Sequence, residues 1–320
     1  MGPIHIAFEL TIYAGLILSA TTAFFLYKKI QAGSSFFKKH TVVTHTMLVG
    51  SLLCFLLLFW GSFIESRRVA TKHESLDITH LTNPIKIVLI ADFQVGPYKR
   101  TGFVKRIARM AHRLEPDIVL LAGDHIDNSG SNFNELSFLS PLEELAAEYP
   151  TFAVHGNHEY GLVTRDKPSP FPDLSSDTKK ALEKLGVHYL VNELEHVKIN
   201  DSSLYIYGTD AWWSGNTDFS GLDARTENIP TIILNHNPAA VTAASEYNAD
   251  LIVSGHTHGG QIRFPLVGAL SRTDYALPLE WDRGWYEYNG LKGFTTVGVG
   301  ESGTRARLFN PPEIVVFEMY

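Results

Sequence analysis

Apolar residues occur in two long segments near the start of the chain and in short runs thereafter. Residues 42–64 contain no Asp, Glu, Lys or Arg, and residues 10–27 are also free of charge. A helix of about 20 apolar residues crosses the hydrocarbon core of a bilayer. The pattern predicts two transmembrane helices, at about 8–27 and 42–64, so that residues 1–64 form a membrane anchor. Buried core helices are the alternative, which is much weaker for the second segment.

Basic residues near the two segments bear on the orientation of this anchor. None precedes the first segment, which also argues against a cleaved signal peptide. The others are Lys28, Lys29, Lys38 and Lys39 between the segments, and Arg67, Arg68 and Lys72 after them. Because cytoplasmic loops are enriched in Lys and Arg, a margin of one residue favours a cytoplasmic loop and a non-cytoplasmic C-terminal domain. If the first segment does not span, the orientation inverts.

Beyond residue 64 the pattern is that of a folded domain. Residues 65–83 are polar and aperiodic, which predicts a linker. Segments whose apolar residues have helical spacing lie between several of the short β-rich runs that follow. Strands that alternate with helices predict an α/β domain over residues 84–320. A hairpin pattern covers 187–208. The predicted strands outside it are 85–91, 118–122, 152–154, 231–234, 251–254, 294–299 and 314–317.

Composition narrows the functional classes. The net charge of -7 disfavours a nucleic-acid-binding protein, because phosphate backbones are bound mainly by Lys and Arg. Cys54 is the only cysteine, so an intramolecular disulfide and a cysteine-rich zinc site are excluded. No Gly-x-Ser-x-Gly motif is present, so nothing indicates a serine nucleophile.

Polar clusters follow five of the apolar runs, at the strand ends where open α/β sheets place their ligands. Their carboxylates, amides and imidazoles suit a pair of divalent metals, and two metals catalyse displacement at phosphorus by holding the attacking and leaving oxygens. The clusters are Ala91-Asp92-Phe93-Gln94, Gly123-Asp124-His125, Gly156-Asn157-His158-Glu159, Asn235-His236-Asn237 and Gly255-His256-Thr257-His258-Gly259-Gly260.

With these motifs the chain resembles the calcineurin-like metallophosphoesterases. D-x-[H/Q], G-D, G-N-H-[D/E], a lone His after a strand and G-H-x-H occur in that order, and the resemblance covers about three quarters of the chain, from residue 85 onward. The segment 300–314 is similar to the end of a membrane-associated branch of that family. The resemblance implies a sheet sandwich flanked by helices, here preceded by two transmembrane helices.

The resemblance also implies a role for each site residue. Asp124 would bridge two metals, and a metal-bridging hydroxide would attack the phosphorus. Mixed oxygen and nitrogen ligands suit Mn²⁺, Zn²⁺ or Fe, and we prefer Mn²⁺. The first metal would be held by Asp92, Gln94 and His258, and the second by Asn157, His236 and His256.

Two positions have a particular interpretation. Gln94 stands where the family more often has histidine; its carbonyl oxygen is a harder and weaker ligand, and the alternative is that Gln94 lies behind an open metal position. His158 would face the substrate, where it would steady the phosphoryl oxygens or protonate the leaving group. The alternative is a histidine satisfied by Glu159 or the backbone.

Several other residues have two interpretations. Trp212 and Trp213 would form a lip for an acyl chain or belong to the core. Arg305 and Arg307 would reach a phosphate or have a structural role. His125 and Asp127 would orient metal ligands or fill a loop.

The function expected from the sequence is a membrane-anchored phosphohydrolase with two divalent metals. It would cleave a phosphoester or pyrophosphate bond, and its partners would be the bilayer of a bacterial inner membrane and a phosphorylated, lipid-linked substrate. One alternative is a UDP-diacylglucosamine pyrophosphate hydrolase of lipid A synthesis, which needs a cytoplasmic active site. The alternative of another class is a non-catalytic, membrane-bound metal-binding module. A nuclease is disfavoured by the net acidity and the anchor.

Overall fold

The computed structural model describes residues 2–130, 134–165, 169, 171–226 and 228–320. In these residues the α-helices are α1 Pro3–Gln31, α2 Ser35–Lys39, α3 Thr41–Phe59, α4 Thr101–His112, α5 Leu142–Ala146, α6 Ser175–Lys184 and α7 Val241–Ala244. The strands are β1 Ala70–Leu76, β2 Ile85–Ile90, β3 Ile118–Leu121, β4 Thr151–Ala153, β5 His188–Tyr189, β6 Glu193–Ile199, β7 Ser202–Gly208, β8 Thr231–Leu234, β9 Leu251–Ser254, β10 Arg263–Phe264, β11 Gly268–Ala269, β12 Gly284–Tyr288, β13 Leu291–Thr295 and β14 Glu313–Met319.

Two six-stranded sheets form the centre of the fold. The first has the order β1-β14-β2-β3-β4-β5, and the second has the order β12-β13-β9-β8-β7-β6. Strands β2 to β5 are parallel to one another, as are β7, β8, β9 and β13, whereas β14 runs antiparallel to β2. A small antiparallel β10–β11 hairpin stands apart from both sheets.

The sheets pack face to face and carry helices on their outer faces. Leu89 and Leu120 of the first sheet are buried in the same core cluster as Ile232 and Val253 of the second. Helices α4, α5 and α6 cover the outside of the first sheet, and α7 lies outside the second. Strands buried on both faces read as continuous apolar runs, which is why the sequence revealed them. The predicted α/β sheet sandwich is confirmed.

The segment 65–83, expected to be a linker, contains a strand. β1 pairs in parallel with β14 along seven residues, from Ala70 opposite Glu313 to Leu76 opposite Met319. It lies at the edge of the sheet, and most of its side chains are at least partly exposed. The backbone hydrogen bonds therefore hold this strand, and its sequence shows no apolar alternation that would have revealed it.

Helices α1 and α3 form an N-terminal helical hairpin. The two run antiparallel, since Tyr13 of α1 contacts Phe63 beyond the end of α3, with 6.1 Å between ring centroids, and Phe25 near the other end contacts Phe37 in α2 at 6.1 Å. Both helices are long and apolar enough to cross a membrane by length and composition. Large apolar side chains such as Leu18 and Leu56 remain exposed.

The open end of this helical hairpin contacts the sheet domain directly. His5 in the first turn of α1 lies 3.2 Å from the Asp127 carboxylate, and Glu9 accepts two hydrogen bonds from Arg305, of 2.8 and 3.0 Å. After α3, the carbonyl oxygen of Gly61 accepts a hydrogen bond of 3.0 Å from the Arg307 backbone N–H. The helical hairpin therefore packs against loops that follow β3 and β13.

Candidate metal centre

The structure brings all seven predicted ligand residues together at one edge of the sandwich. Each follows a parallel strand, and all are buried: Asp92, Gln94, Asp124, Asn157, His236, His256 and His258. In one group the ligand atoms of Asp124, His236 and His256 lie within 4.8 Å of one another, and in a second group those of Asp92, Asp124 and His258 do. Asp124 belongs to both groups, as a carboxylate that bridges two metals must.

The group around Asn157 is oriented by hydrogen bonds behind it. The side-chain amide of Asn157 donates to the Leu162 carbonyl at 2.6 Å, so its Oδ1 faces His236 Nε2 at 3.2 Å and His256 Nδ1 at 2.9 Å. His236 donates from Nδ1 to the Ala122 carbonyl at 2.7 Å. This bond selects the tautomer whose Nε2 lone pair points into the site, as is usual for histidines that bind metals.

The group around Asp92 is oriented less completely. Oδ1 of Asp92 accepts from the His256 backbone N–H at 3.1 Å. Gln94 directs its amide nitrogen at Asp124 Oδ2 and His258 Nε2, at 3.2 Å in each case. A half-turn of this amide would exchange its nitrogen and oxygen at nearly constant shape, and the oxygen would then face the position expected for the first metal.

The residues fit a pair of metals by their unsatisfied atoms. Among the described residues, Asp92 Oδ2 and Gln94 Oε1 are two of the buried polar atoms that have no hydrogen-bond partner. An orphaned buried polar atom costs free energy and needs an explanation such as an ion. Both atoms belong to predicted ligands of the first metal. The oxygen and nitrogen donor set and these orphaned atoms together fit divalent cations.

The ligand loops adopt backbone conformations that few residues favour. Positive φ angles occur at Asp92, Gln94, Asp124, His256 and His258. Such conformations are uncommon outside glycine and are found where the surroundings enforce them. Two motif glycines allow the ligand loops to approach one another. A Cβ at Gly156 would overlap the Asp124 carboxylate, and one at Gly255 would lie 2.6 Å from the Ala91 Cβ. Only glycine permits these loops to approach so closely.

Glu159 holds two of the loops together, a role that the sequence analysis missed. Its buried carboxylate accepts backbone N–H bonds from Asp124 at 3.1 Å, His125 at 2.8 Å, Ile126 at 3.3 Å and Gly156 at 2.7 Å. Hydrogen bonds to a carboxylate are stronger than neutral ones. The acidic residue that ends the G-N-H-[D/E] motif was the available signal.

Arg307 performs a similar task at the loop that carries His258. Its guanidinium is fully buried and donates to the carbonyls of Gly300 at 2.6 Å and Val297 at 2.7 Å. The Asn310 side chain donates to the His258 carbonyl at 2.7 Å. Arg307 is thus structural and does not face a substrate, and Arg305 is paired with Glu9.

Buried charge shifts the pKa values within the site. Burial lowers the pKa of His236, but the carboxylates of Asp124 and Asp92 outweigh it and raise the value to about 9. Burial, reinforced by Asp124, raises the pKa of Asp92 to about 7. Burial lowers the pKa of His256 to about 3 and, with Arg307, also lowers that of His258. Near neutral pH the metal-free site therefore holds protons on His236 and partly on Asp92.

His158 lies at the rim of this cluster. Its Nδ1 is hydrogen-bonded to the Asp127 carbonyl, and its Nε2 lies 3.9 Å from Asp124 Oδ2. Burial lowers the pKa of His158, but Asp124 and Asp127 outweigh it and raise the value. The backbone bond fixes the ring with Nε2 towards the ligand cluster, where an imidazole could exchange a proton with a bound substrate.

The remaining candidates lie behind the ligands. Trp213 is buried edge-on against the His256 ring, with 4.6 Å between centroids, and Trp212 packs on the outer core of the second sheet. His125 is bonded to the Val154 carbonyl at 3.0 Å. Asp127 supports His158 through its backbone and contacts His5 through its carboxylate.

Comparison with known proteins agrees with this geometry. Residues 85–260 match the calcineurin-like phosphoesterase family. An uncharacterized metallophosphoesterase of Helicobacter pylori strain 26695 is 32% identical over 279 residues, which cover 85% of this chain and 70% of that protein. The phosphodiesterase YaeI of Escherichia coli K12 is 31% identical over 241 residues, covering 74% and 82%.

Two more distant similarities were found. A transmembrane protein with metallophosphoesterase domain from Bos taurus is 32% identical over 194 residues, which cover 58% of this chain and 42% of that protein. Among solved structures, a dimetal phosphatase from Danio rerio aligns with 74% of this chain and 94% of that one, with a TM-score of 0.42 at 14% identity.

The fold and the site define a metal-dependent phosphoester hydrolase. The chain belongs to the calcineurin-like phosphoesterase family.

We predict that Glu159→Gln loosens the site. The variant loses the charge that four backbone N–H groups share, which should lower the free energy of unfolding by about 2–3 kcal/mol and weaken metal binding. Thermal unfolding followed by tryptophan fluorescence and metal titration would measure the two effects. Glu183→Gln, on the exposed side of α6, is the matched control. Equal melting temperatures for both variants would contradict the prediction.

Metal binding should release protons. Metals need neutral imidazole and ionised carboxylate, whereas His236, with a pKa of about 9, and Asp92, with a pKa of about 7, hold protons below these values. The apparent affinity for Mn²⁺ should therefore rise with pH between 6 and 8. Calorimetry at pH 7 in two buffers of different ionisation enthalpy would count the released protons. Equal heats in both buffers would refute the predicted release of protons.

Proposed function

We propose that this protein is a membrane-anchored phosphohydrolase with two divalent metals that cleaves a phosphoester or pyrophosphate bond in a lipid-linked substrate. In this proposal residues 1–64 are the anchor and residues 84–320 the catalytic domain, with β1 joining them. The observation that carries the proposal is the contact between the open end of the helical hairpin and the loops beside the metal centre. A site attached in this way meets phosphates at the surface of the bilayer.

The proposed roles follow from the geometry of the two groups. Asp124 would contribute to both metal positions. The first metal would be held by Asp92, Gln94 and His258, and the second by Asn157, His236 and His256. Two bound metals would activate water and neutralise charge on the phosphoryl oxygens. Mn²⁺ is our preferred metal because amide and carboxylate oxygens are hard ligands, and Zn²⁺ or Fe are alternatives.

His158 acts in this proposal as the proton donor for the leaving group. Its Nδ1 bond to the Asp127 carbonyl keeps Nε2 towards the ligand cluster, where it could pass a proton to the leaving oxygen. The side chain of His158 is 11% exposed, more than Asp124 beside it, so a substrate could reach it.

The exposed surface of α1 and α3 supports a membrane location. The core helix of a soluble protein would bury its apolar residues, whereas Leu10, Leu18, Leu53 and Leu56 are all more than half exposed. The relative from Bos taurus is named as a transmembrane protein. The lysines between the helices favour a catalytic domain on the non-cytoplasmic side.

Two alternatives remain distinct from this proposal. A UDP-diacylglucosamine pyrophosphate hydrolase of lipid A synthesis would use the same metal centre but requires a cytoplasmic domain. A non-catalytic membrane-bound metal-binding module would need no proton donor. The position of His158 beside the ligands favours an enzyme.

We expect His158→Ala to lower kcat by about 10²- to 10⁴-fold, the usual contribution of general acid catalysis, while metal affinity stays close to that of the wild type. The assay is hydrolysis of diphenyl phosphate by the detergent-solubilised protein with added Mn²⁺, because phenolate is basic enough to need a proton as it leaves, whereas p-nitrophenolate is not. Asp124→Asn should lose turnover and metal binding together. His188→Ala, an exposed histidine on β5, is the control. Full activity of His158→Ala would show that its assigned role is wrong.

The proposed topology predicts that both termini lie on the non-cytoplasmic side. The protein should stay in the membrane fraction after an alkaline carbonate wash, and a C-terminal alkaline phosphatase fusion should be active whereas a C-terminal fluorescent-protein fusion should not be. The reverse pattern would place the catalytic domain in the cytoplasm. That result would favour the pyrophosphate hydrolase over our main proposal.

A further inference from the structure

An apolar groove lies between helix α3 and the β10–β11 hairpin. Its volume is about 520 Å³, within the range of small-molecule sites. Its walls are Gly50, Leu53, Cys54 and Leu57 from the helix and Phe264 and Leu270 from the β10–β11 hairpin side. From Gly50 to Leu58, eight residues at a rise of 1.5 Å, the groove extends roughly 12 Å along the axis of α3.

The groove adjoins a second cavity, of mixed polar and apolar lining, that reaches the metal centre at His258. This second cavity, of about 330 Å³, has His258 in its wall together with polar groups of Gln261, Thr273 and Ser302. Ile262 and Leu270 belong to the walls of both cavities. A ligand whose polar head lies beside His258 therefore has an apolar channel directly next to it.

The β10–β11 hairpin, whose Phe264 shares the groove wall with α3, has an apolar tip. Leu266 at the tip is fully exposed and Val267 is 74% exposed, while Arg263 at its base donates to the Gly259 carbonyl at 2.8 Å. An exposed apolar patch of this kind marks a contact with protein or membrane. If α3 crosses the bilayer as proposed above, the shared groove wall brings this hairpin close to the surface of the bilayer.

We propose that the groove binds one acyl chain of the substrate, with the phosphate in the cavity beside His258. The substrate then enters sideways from the bilayer between α3 and the β10–β11 hairpin. This inference rests on the proposed function and adds a binding site to it. It identifies the substrate class as phosphoesters in which an alkyl chain is attached close to the phosphate group.

The composition of the walls favours an acyl chain over a peptide. The side chains from α3 that line the groove are apolar or are the thiol of Cys54, and Ser62, which follows α3, adds one hydroxyl. A peptide in such a groove would bury N–H and C=O groups without partners, at a cost of free energy for each group. An alkyl chain has no such groups, and each buried methylene adds to its affinity.

The test compares two phosphodiesters that differ only in the chain. Methyl p-nitrophenyl phosphate and dodecyl p-nitrophenyl phosphate would be hydrolysed by the Mn²⁺-loaded full chain in lipid nanodiscs, and the ratio of their kcat/KM values would be recorded. Gly50→Phe would fill the groove, since a Cβ at this position has no atom within 4 Å. Val49→Phe is the matched control, because Val49 is exposed on α3 and lines neither cavity.

We expect the wild type to prefer the dodecyl ester and Gly50→Phe to lower the ratio at least about tenfold, since a filled groove buries fewer methylenes. Val49→Phe should keep the wild-type ratio, which controls for partition of the chain into the bilayer. An unchanged ratio in Gly50→Phe would overturn the proposal.

A second measurement needs no turnover. Dodecyl phosphate with a diazirine near the end of its chain would be photolysed with the metal-free full chain, and adducts would be located by mass spectrometry. We expect adducts concentrated on Cys54, Leu57 and Leu270 and reduced in Gly50→Phe. Adducts spread evenly over α1 and α3 would contradict the groove. If neither ester is hydrolysed, the proposed function fails, and the adducts alone decide whether the groove binds a chain.

Discussion

The burial of two carboxylates and three imidazoles in one cluster is the constraint on which the rest of the site depends. Asp92 and Asp124 lie together away from water, where the charged form of each is costly unless it is paired. Hydrogen bonds from backbone N–H groups and the positive charge of buried Arg307 stabilise the charged carboxylates. The strained ligand loops, the glycines that permit their approach and the Glu159 carboxylate all serve to hold these charges in place.

Much of the fold could be predicted from the sequence because the central strands are buried on both faces. Strands β8 and β9 begin and end at the residues predicted from the apolar runs. Strands β2 and β3 begin as predicted and end one residue earlier. Strand β1 could not be predicted, because it is held by backbone pairing with β14. The predicted strand at 294–299 lies instead at Leu291–Thr295, since the residues after it turn to approach Asp92.

That the predicted ligand residues lie together could be expected for a different reason. Each motif joins a strand end to a polar side chain, and parallel strands bring their ends to the same edge. What the sequence could not show is which groups hold the ligands. Glu159 and Arg307 act through backbone atoms of other loops, and such contacts between distant segments leave no periodic pattern. The orientation of the Gln94 amide likewise depends on neighbours from three loops.

The helical hairpin contacts the loops that support the candidate site. His5 touches the residue whose carbonyl orients His158, and Gly61 bonds to the backbone of the arginine that braces the His258 loop. A chain that lacks residues 1–64 would leave Asp127 and Arg305 without these partners and would uncover the surface around Arg307. The helical hairpin is therefore part of the scaffold around the candidate site, and each of the two regions limits the substitutions that the other can accept.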